Sequence, residues 1–172
     1  MCQFFSCILT QNDVLYIEGV NNHEKIIEKY NLDDTTSKPD FVRLEFLPDS
    51  KISKDKTKWT LKVDQDYLPE WYSKKDAKHC LIALDKEIEK RILRKGKNSV
   101  KEGFYLACGS AEVEAYDSAE VLACGSAKVL AYGSAKVRAY GSAEVEAWDS
   151  AKVLAYGSAK VEAWDSAEVV KI

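Results

Sequence analysis

Cys2 follows the initiator Met1, and loss of that methionine would leave a thiol beside an α-amine whose pKa of about 8 suits it to act as base for its own neighbour. Cys7, Cys80, Cys108 and Cys124 complete an odd, scattered set of five cysteines with no Cys-x-x-Cys pair. Such a set fits free thiols in a reducing compartment better than a disulfide framework or a zinc site. The two histidines, His23 and His79, have no metal-ligand spacing between them. His79 adjoins Cys80 on a helical stretch, and neighbours on a helix point about 100° apart, so the pair does not share a site. His23 falls in the first turn of a shorter helix. These residues read as ordinary surface and core side chains, Cys2 as a buried thiol at the start of a strand, and no metal and no cofactor is expected.

The chain that must position these groups has 172 residues and 46% hydrophobic content, enough for one ordinary domain or two small ones. Its net charge of −3 argues against a protein that grips nucleic-acid phosphates across its surface. No apolar run approaches the roughly 18 residues of a membrane span, and Phe4 to Leu9 lacks the basic flank and cleavage site of a secretion signal. A soluble, cytoplasmic protein is expected.

Composition changes near residue 100, which suggests an α+β head over 1–99 and a repeat domain over 100–172. In the head, Gln3 to Thr10 and Val14 to Glu18 predict a hairpin around Gln11-Asn12-Asp13. Asn21 and Glu24 have capping-box spacing ahead of Ile26, Ile27 and Tyr30. Val42, Leu44 and Phe46, then Trp59, Leu61 and Val63, alternate as two strands. Ala77, Leu81, Leu84, Ile88 and Ile92 have helical spacing over about 69–94, with Gly96 as the stop, residues 94–99 as a connector and Val100 to Leu106 as the first strand of the second half.

From Ala107 one phrase recurs: Ala, aromatic or Cys, Gly or Asp, Ser, Ala, Lys or Glu, Val, variable. Eight copies run without a slip from 107 to 170. Within each, Ala111, Val113 and Ala115 alternate with Glu112, Glu114 and Tyr116, which is strand periodicity. A two-residue hairpin would set Tyr116 beside Ala119 on one face and turn every second strand the wrong way. A backbone that keeps winding in one direction holds all the odd-numbered Ala and Val inside, so a β-solenoid of stacked parallel strands is expected. Sorting the octads two per coil puts Gly109, Gly125, Gly141 and Gly157 in one file and Asp117, Gly133, Asp149 and Asp165 in the other. It also puts Tyr116, Tyr132, Trp148 and Trp164 at one corner, Cys108, Cys124, Tyr140 and Tyr156 at the other, and alternates Glu112, Lys128, Glu144 and Lys160.

The aromatic files, Tyr116, Tyr132, Trp148 and Trp164 with Tyr140 and Tyr156, are the candidate binding residues, because exposed Trp and Tyr are enriched where proteins meet partners. Residues 107–172 carry seven Glu and three Asp against five Lys and one Arg, too mild and mixed a pattern for a nucleic-acid mimic. A solenoid end exposes unpaired backbone, and Val169, Val170 and Ile172 stand at that end, so they are the expected interface of a tail-to-tail homodimer.

The opening Met-Cys-Gln-Phe-Phe-Ser-Cys-Ile, the segment Asn-His-Glu-Lys-Ile-Ile-Glu-Lys-Tyr and the Tyr-Gly-Ser-Ala-Lys-Val octads together resemble a family of phage and prophage proteins. The resemblance implies a small protein acting inside a bacterial cell, engaging a host protein, for instance as an inhibitor of host defence, and it supplies no catalytic residues. The Met-Cys start alone also resembles class II glutamine amidotransferases and related N-terminal nucleophile hydrolases. That second resemblance implies an alternative function, an amidohydrolase with Cys2 as nucleophile, although the rest of their motifs are missing. A non-enzymatic binding and assembly protein is the preferred expectation.

Overall fold

The computed structural model describes residues 5–48, 59–73 and 75–172, and the chain divides into two units, Met1–Glu89 and Lys90–Ile172. In the first unit, β1 (Phe5–Leu9), β2 (Val14–Leu15), β3 (Val42–Pro48) and β4 (Trp59–Val63) form an antiparallel sheet in the order β2-β1-β3-β4. Alternation sorts its two faces. Phe5, Cys7, Leu44 and Phe46 are buried on one face, and the Cys7 thiol is hydrogen-bonded there with Cys80. On the other face Ile8 packs with Ile26 and Phe41. Ser6, Glu45 and Lys62 lie side by side on that second face, since Ser6 pairs with Glu45 and Glu45 with Lys62.

Two helices flank these strands in sequence. The first, α1 (His23–Tyr30), is capped by Asn22, whose side chain accepts from Lys25 N at 3.0 Å. The cap falls one residue after the expected Asn21 because the backbone is still extended at Asn22, with φ −147°. Asn31 closes the helix in the left-handed region at φ 50°. The second, α2 (Ala77–Arg91), starts later than the expected 69–94 span, because Ser73 N and Oγ both donate to Asp76 Oδ2, at 2.7 and 2.8 Å, and close a turn ahead of it. Its buried line is Ala77, Cys80, Leu84, Glu87 and Arg91, passing through Cys80 rather than Leu81.

The second unit is a β-solenoid of about five turns from residue 92 onward. It starts earlier than the sequence suggests. Residues 94–99, expected as a connector, belong to β5 (Ile92–Val100), and the bend falls at 101–103. β5 has none of the repeat, but it lies parallel to β6 (Phe104–Ala115), with Lys97 opposite Glu112 and Val100 opposite Ala115. Its backbone takes its pairing from the neighbour, and Gly96, with φ 71°, sits beside a register shift between Leu93 and Lys95 instead of ending the helix.

β6 bends at Gly109 and serves two stacks of parallel strands. One stack continues through β7 (Glu120–Ala123), β9 (Lys136–Ala139), β11 (Lys152–Ala155) and β13 (Glu168–Lys171). The other continues through β8 (Lys128–Ala131), β10 (Glu144–Ala147) and β12 (Lys160–Ala163). Paired residues are sixteen apart in sequence, as with Glu112 and Lys128 or Glu120 and Lys136. Parallel pairing excludes an up-and-down meander. The odd-numbered Ala and Val side chains from Ala111 to Val153 are all buried between the stacks, a core thin enough to be filled by methyl and isopropyl groups alone.

From Tyr116 onward each corner is a tight turn in which the Ala after Ser donates back to the carbonyl of the aromatic or Cys, as Ala119 N does to Tyr116 O at 3.0 Å. The residue after the aromatic takes a positive φ at every corner, between 51° at Asp117 and 68° at Gly125. Gly and Asp are both enriched in that conformation, which is why these two types share the third place of the octad.

Candidate functional site

The corners hold the aromatic residues singled out from the sequence, and coil-to-coil pairing brings them together in files. Tyr116, Tyr132, Trp148 and Trp164 stack with ring centroids 5.0, 4.8 and 4.8 Å apart and planes within 12° of parallel. Tyr140 and Tyr156 stack at 4.5 Å and 3°. Stacking covers the ring faces inside each file, so what the files present outward is ring edges. Tyr116 Oη donates to Glu114 Oε2 at 3.0 Å, and that bond, ahead of burial, holds its phenol above the usual tyrosine value. Trp164 is the last ring of its file and remains 40% exposed. Val170 and Ile172 are exposed at the far end of the same coil, and Val169 is half-buried.

Ion pairs run between coils on both faces. Glu144 Oε2 and Oε1 meet Lys128 and Lys160, each at 3.4 Å, and the two lysines hold its carboxyl below the usual carboxylate value, Lys160 foremost. On the other face Lys136 lies opposite Lys152, but each turns away to an acid, Lys136 to Glu120 at 3.3 Å and Lys152 to Glu168 at 3.1 Å. These pairs are exposed and contribute modestly.

Cys7 and Cys124 offer little nucleophilic chemistry. Cys7 is buried, and its hydrogen bond with Cys80, ahead of burial, raises its pKa. Cys124 is raised by burial and by neighbouring Cys108. A thiol pushed upward is poorly ionised at neutral pH and poorly reactive. Cys2 lies outside the described residues. His79 is exposed and Cys80 buried, so the two do face apart.

The face of the head sheet that carries Ile8 also holds a polar cluster that no sequence spacing reveals. His23 at the start of α1, Glu45 on β3 and Asp64 just past β4 bring their nitrogen and carboxylate atoms within 4.8 Å of one another. His23 and Glu45 are buried, at 4% and 2% exposure. His23 Nε2 is 3.1 Å from Leu44 O, and Nδ1 is 3.5 Å from Asp64 Oδ2. Lys62 Nζ reaches in from the exposed side, 3.7 Å from Glu45 Oε2 and 3.4 Å from Asp64 Oδ1. Among the described residues no helix is long and apolar enough to cross a membrane. Comparison of the chain with protein-family models, with curated proteins and with solved structures finds no match.

Proposed function

We propose that this protein is a non-enzymatic binding and assembly protein whose octads wind two to a coil and whose last coil joins a second copy. The sixteen-residue register supports two octads per coil. The observation that carries the assembly is the state of residues 159–169. Ala159, Val161, Ala167 and Val169 occupy the same places as fully enclosed residues of earlier coils, yet they are only half-buried. Among the described residues, β12 and β13 each have a ladder partner on one edge alone.

The edge of this coil is complementary to itself. A twofold axis parallel to the strands and passing by Trp164 sets β12 of one copy antiparallel to β13 of the other. The Trp164 rings continue one aromatic file across the axis. The resulting pair of solenoids presents its ring edges to a macromolecule of the host cell, the kind of partner that the family resemblance implies.

Sedimentation velocity on the full chain tests the assembly. A dimer is expected at micromolar concentration, and Val161→Glu, which buries a carboxylate at the joint, is expected to sediment as a monomer with unchanged far-ultraviolet circular dichroism. A wild-type chain that stays monomeric at every concentration overturns the proposal.

A further inference from the structure

The polar cluster of the head calls for an explanation of its own. A carboxylate as enclosed as Glu45 is costly unless its charge is matched at close range. Its ionic partner in the structure is Lys62, 3.7 Å away, whose own side chain is 54% exposed. Asp64 adds a second negative charge beside it. A second, independent feature points to the same spot. Ser6 lies opposite Glu45 in the ladder and on the same face, and its Oγ is buried with no hydrogen-bond partner among the described residues. The centre of the cluster therefore combines an under-compensated buried anion with an unused hydroxyl.

His23 is oriented as a ligand would be. The Leu44 carbonyl can only accept, so Nε2 carries the hydrogen and donates to it, while Nδ1 is the atom directed toward Asp64. A ring nitrogen held by a backbone carbonyl, with the other nitrogen turned to a carboxylate-lined space, is the outer-shell arrangement of metal-binding histidines. Ligand atoms about 2.0–2.2 Å from one tetrahedral ion stand roughly 3.4 Å apart, and Nδ1 and Asp64 Oδ2 are 3.5 Å apart. One nitrogen with two carboxylates favours a borderline first-row ion over Mg²⁺ or Ca²⁺, which prefer all-oxygen sites.

We propose that His23 Nδ1, Glu45 and Asp64 bind one divalent transition-metal ion, with Zn²⁺ as the representative, and that Ser6 Oγ supports it from the ladder. Lys62 holds the place of the cation when the metal is away and is displaced toward solvent when it binds. Lysine and metal thus compete for the same two carboxylates.

Calorimetric titration of the chelator-treated full chain with ZnCl₂ in excess Mg²⁺ tests the site. The expected result is one Zn²⁺ per chain, with binding weakened about tenfold or more by Asp64→Asn. Asp64 is partly exposed, so that variant is expected to fold, and circular dichroism verifies it. Lys62→Met, which removes the competing ammonium, is expected to tighten binding severalfold. Absence of Zn²⁺ binding in the wild-type chain and in Lys62→Met overturns the proposal. Affinity unchanged by Asp64→Asn also overturns it, and assigns the ion to thiols such as Cys108 and Cys124.

Discussion

Gly109 and Gly157 occupy the same place in the octad and have nearly the same φ, 63° and 65°, but their surroundings differ. A Cβ on Gly109 would stand 2.8 Å from the Arg94 carbonyl oxygen of β5, whereas one on Gly157 meets nothing within 4 Å. Gly157→Ala therefore carries only the left-handed backbone penalty of about 1 kcal/mol. Gly109→Ala adds a clash with rigid backbone and is expected to cost about 3 kcal/mol or more. Denaturant titration of both variants checks this, and equal losses would mean that β5 does not cover that corner. Glu144 gives a residue-level dependence on pH. Its carboxyl, held low by Lys160 and Lys128, stabilises the fold only while ionised. The contribution is thus complete above the unfolded carboxylate value of about 4.3 and disappears as pH falls through the lower folded value. Thermal melts should show Glu144→Gln less stable than wild type at pH 7 and indistinguishable from it at strongly acid pH, with the gap at pH 7 narrowed by salt.

At the scale of elements, the octad is legible because its period and its winding follow from the same residues. Ala and Val at alternate places need one enclosed side, and the third-place Gly or Asp supplies a turn that keeps that side enclosed. β5 was not legible for the opposite reason. Ile92–Val100, with Lys95, Gly96, Lys97 and Asn98 at its centre, has no strand signal of its own, and its conformation comes from pairing with β6. The head cluster escaped as well. His23 opens α1, Glu45 alternates with apolar residues along β3 and Asp64 follows β4, each an ordinary local place, and only the tertiary fold joins them. Val137 and Val161 show how position in a stack outweighs identity of sequence. Val137 is enclosed by β7 and β11, so Val137→Ala leaves a cavity and is expected to cost about 2 kcal/mol. Val161 is half-buried in the last coil, so Val161→Ala should cost an isolated chain less than half as much. Chemical denaturation at a concentration low enough to dissociate any dimer makes the comparison.

At the scale of the whole molecule, stability and assembly are coupled if the last coil is completed by a second copy. A dimer whose folded chains bind each other but whose unfolded chains do not gains stability by mass action, so its melting temperature rises with protein concentration. The outermost coil, where β12 and β13 have one partner strand each among the described residues, is where that gain is made, because an open solenoid edge is the first part to fray. Trp164 reports on the joint directly, since its free ring face becomes covered on pairing. Trp164→Lys replaces two stacking rings with two like charges across the twofold axis and should abolish the dependence of melting temperature on concentration. Val153, enclosed one coil earlier, serves as the control: Val153→Ala should lower the melting temperature at every concentration and leave its slope in place. If wild type and Trp164→Lys melt with the same concentration dependence, the second copy does not sit on this coil.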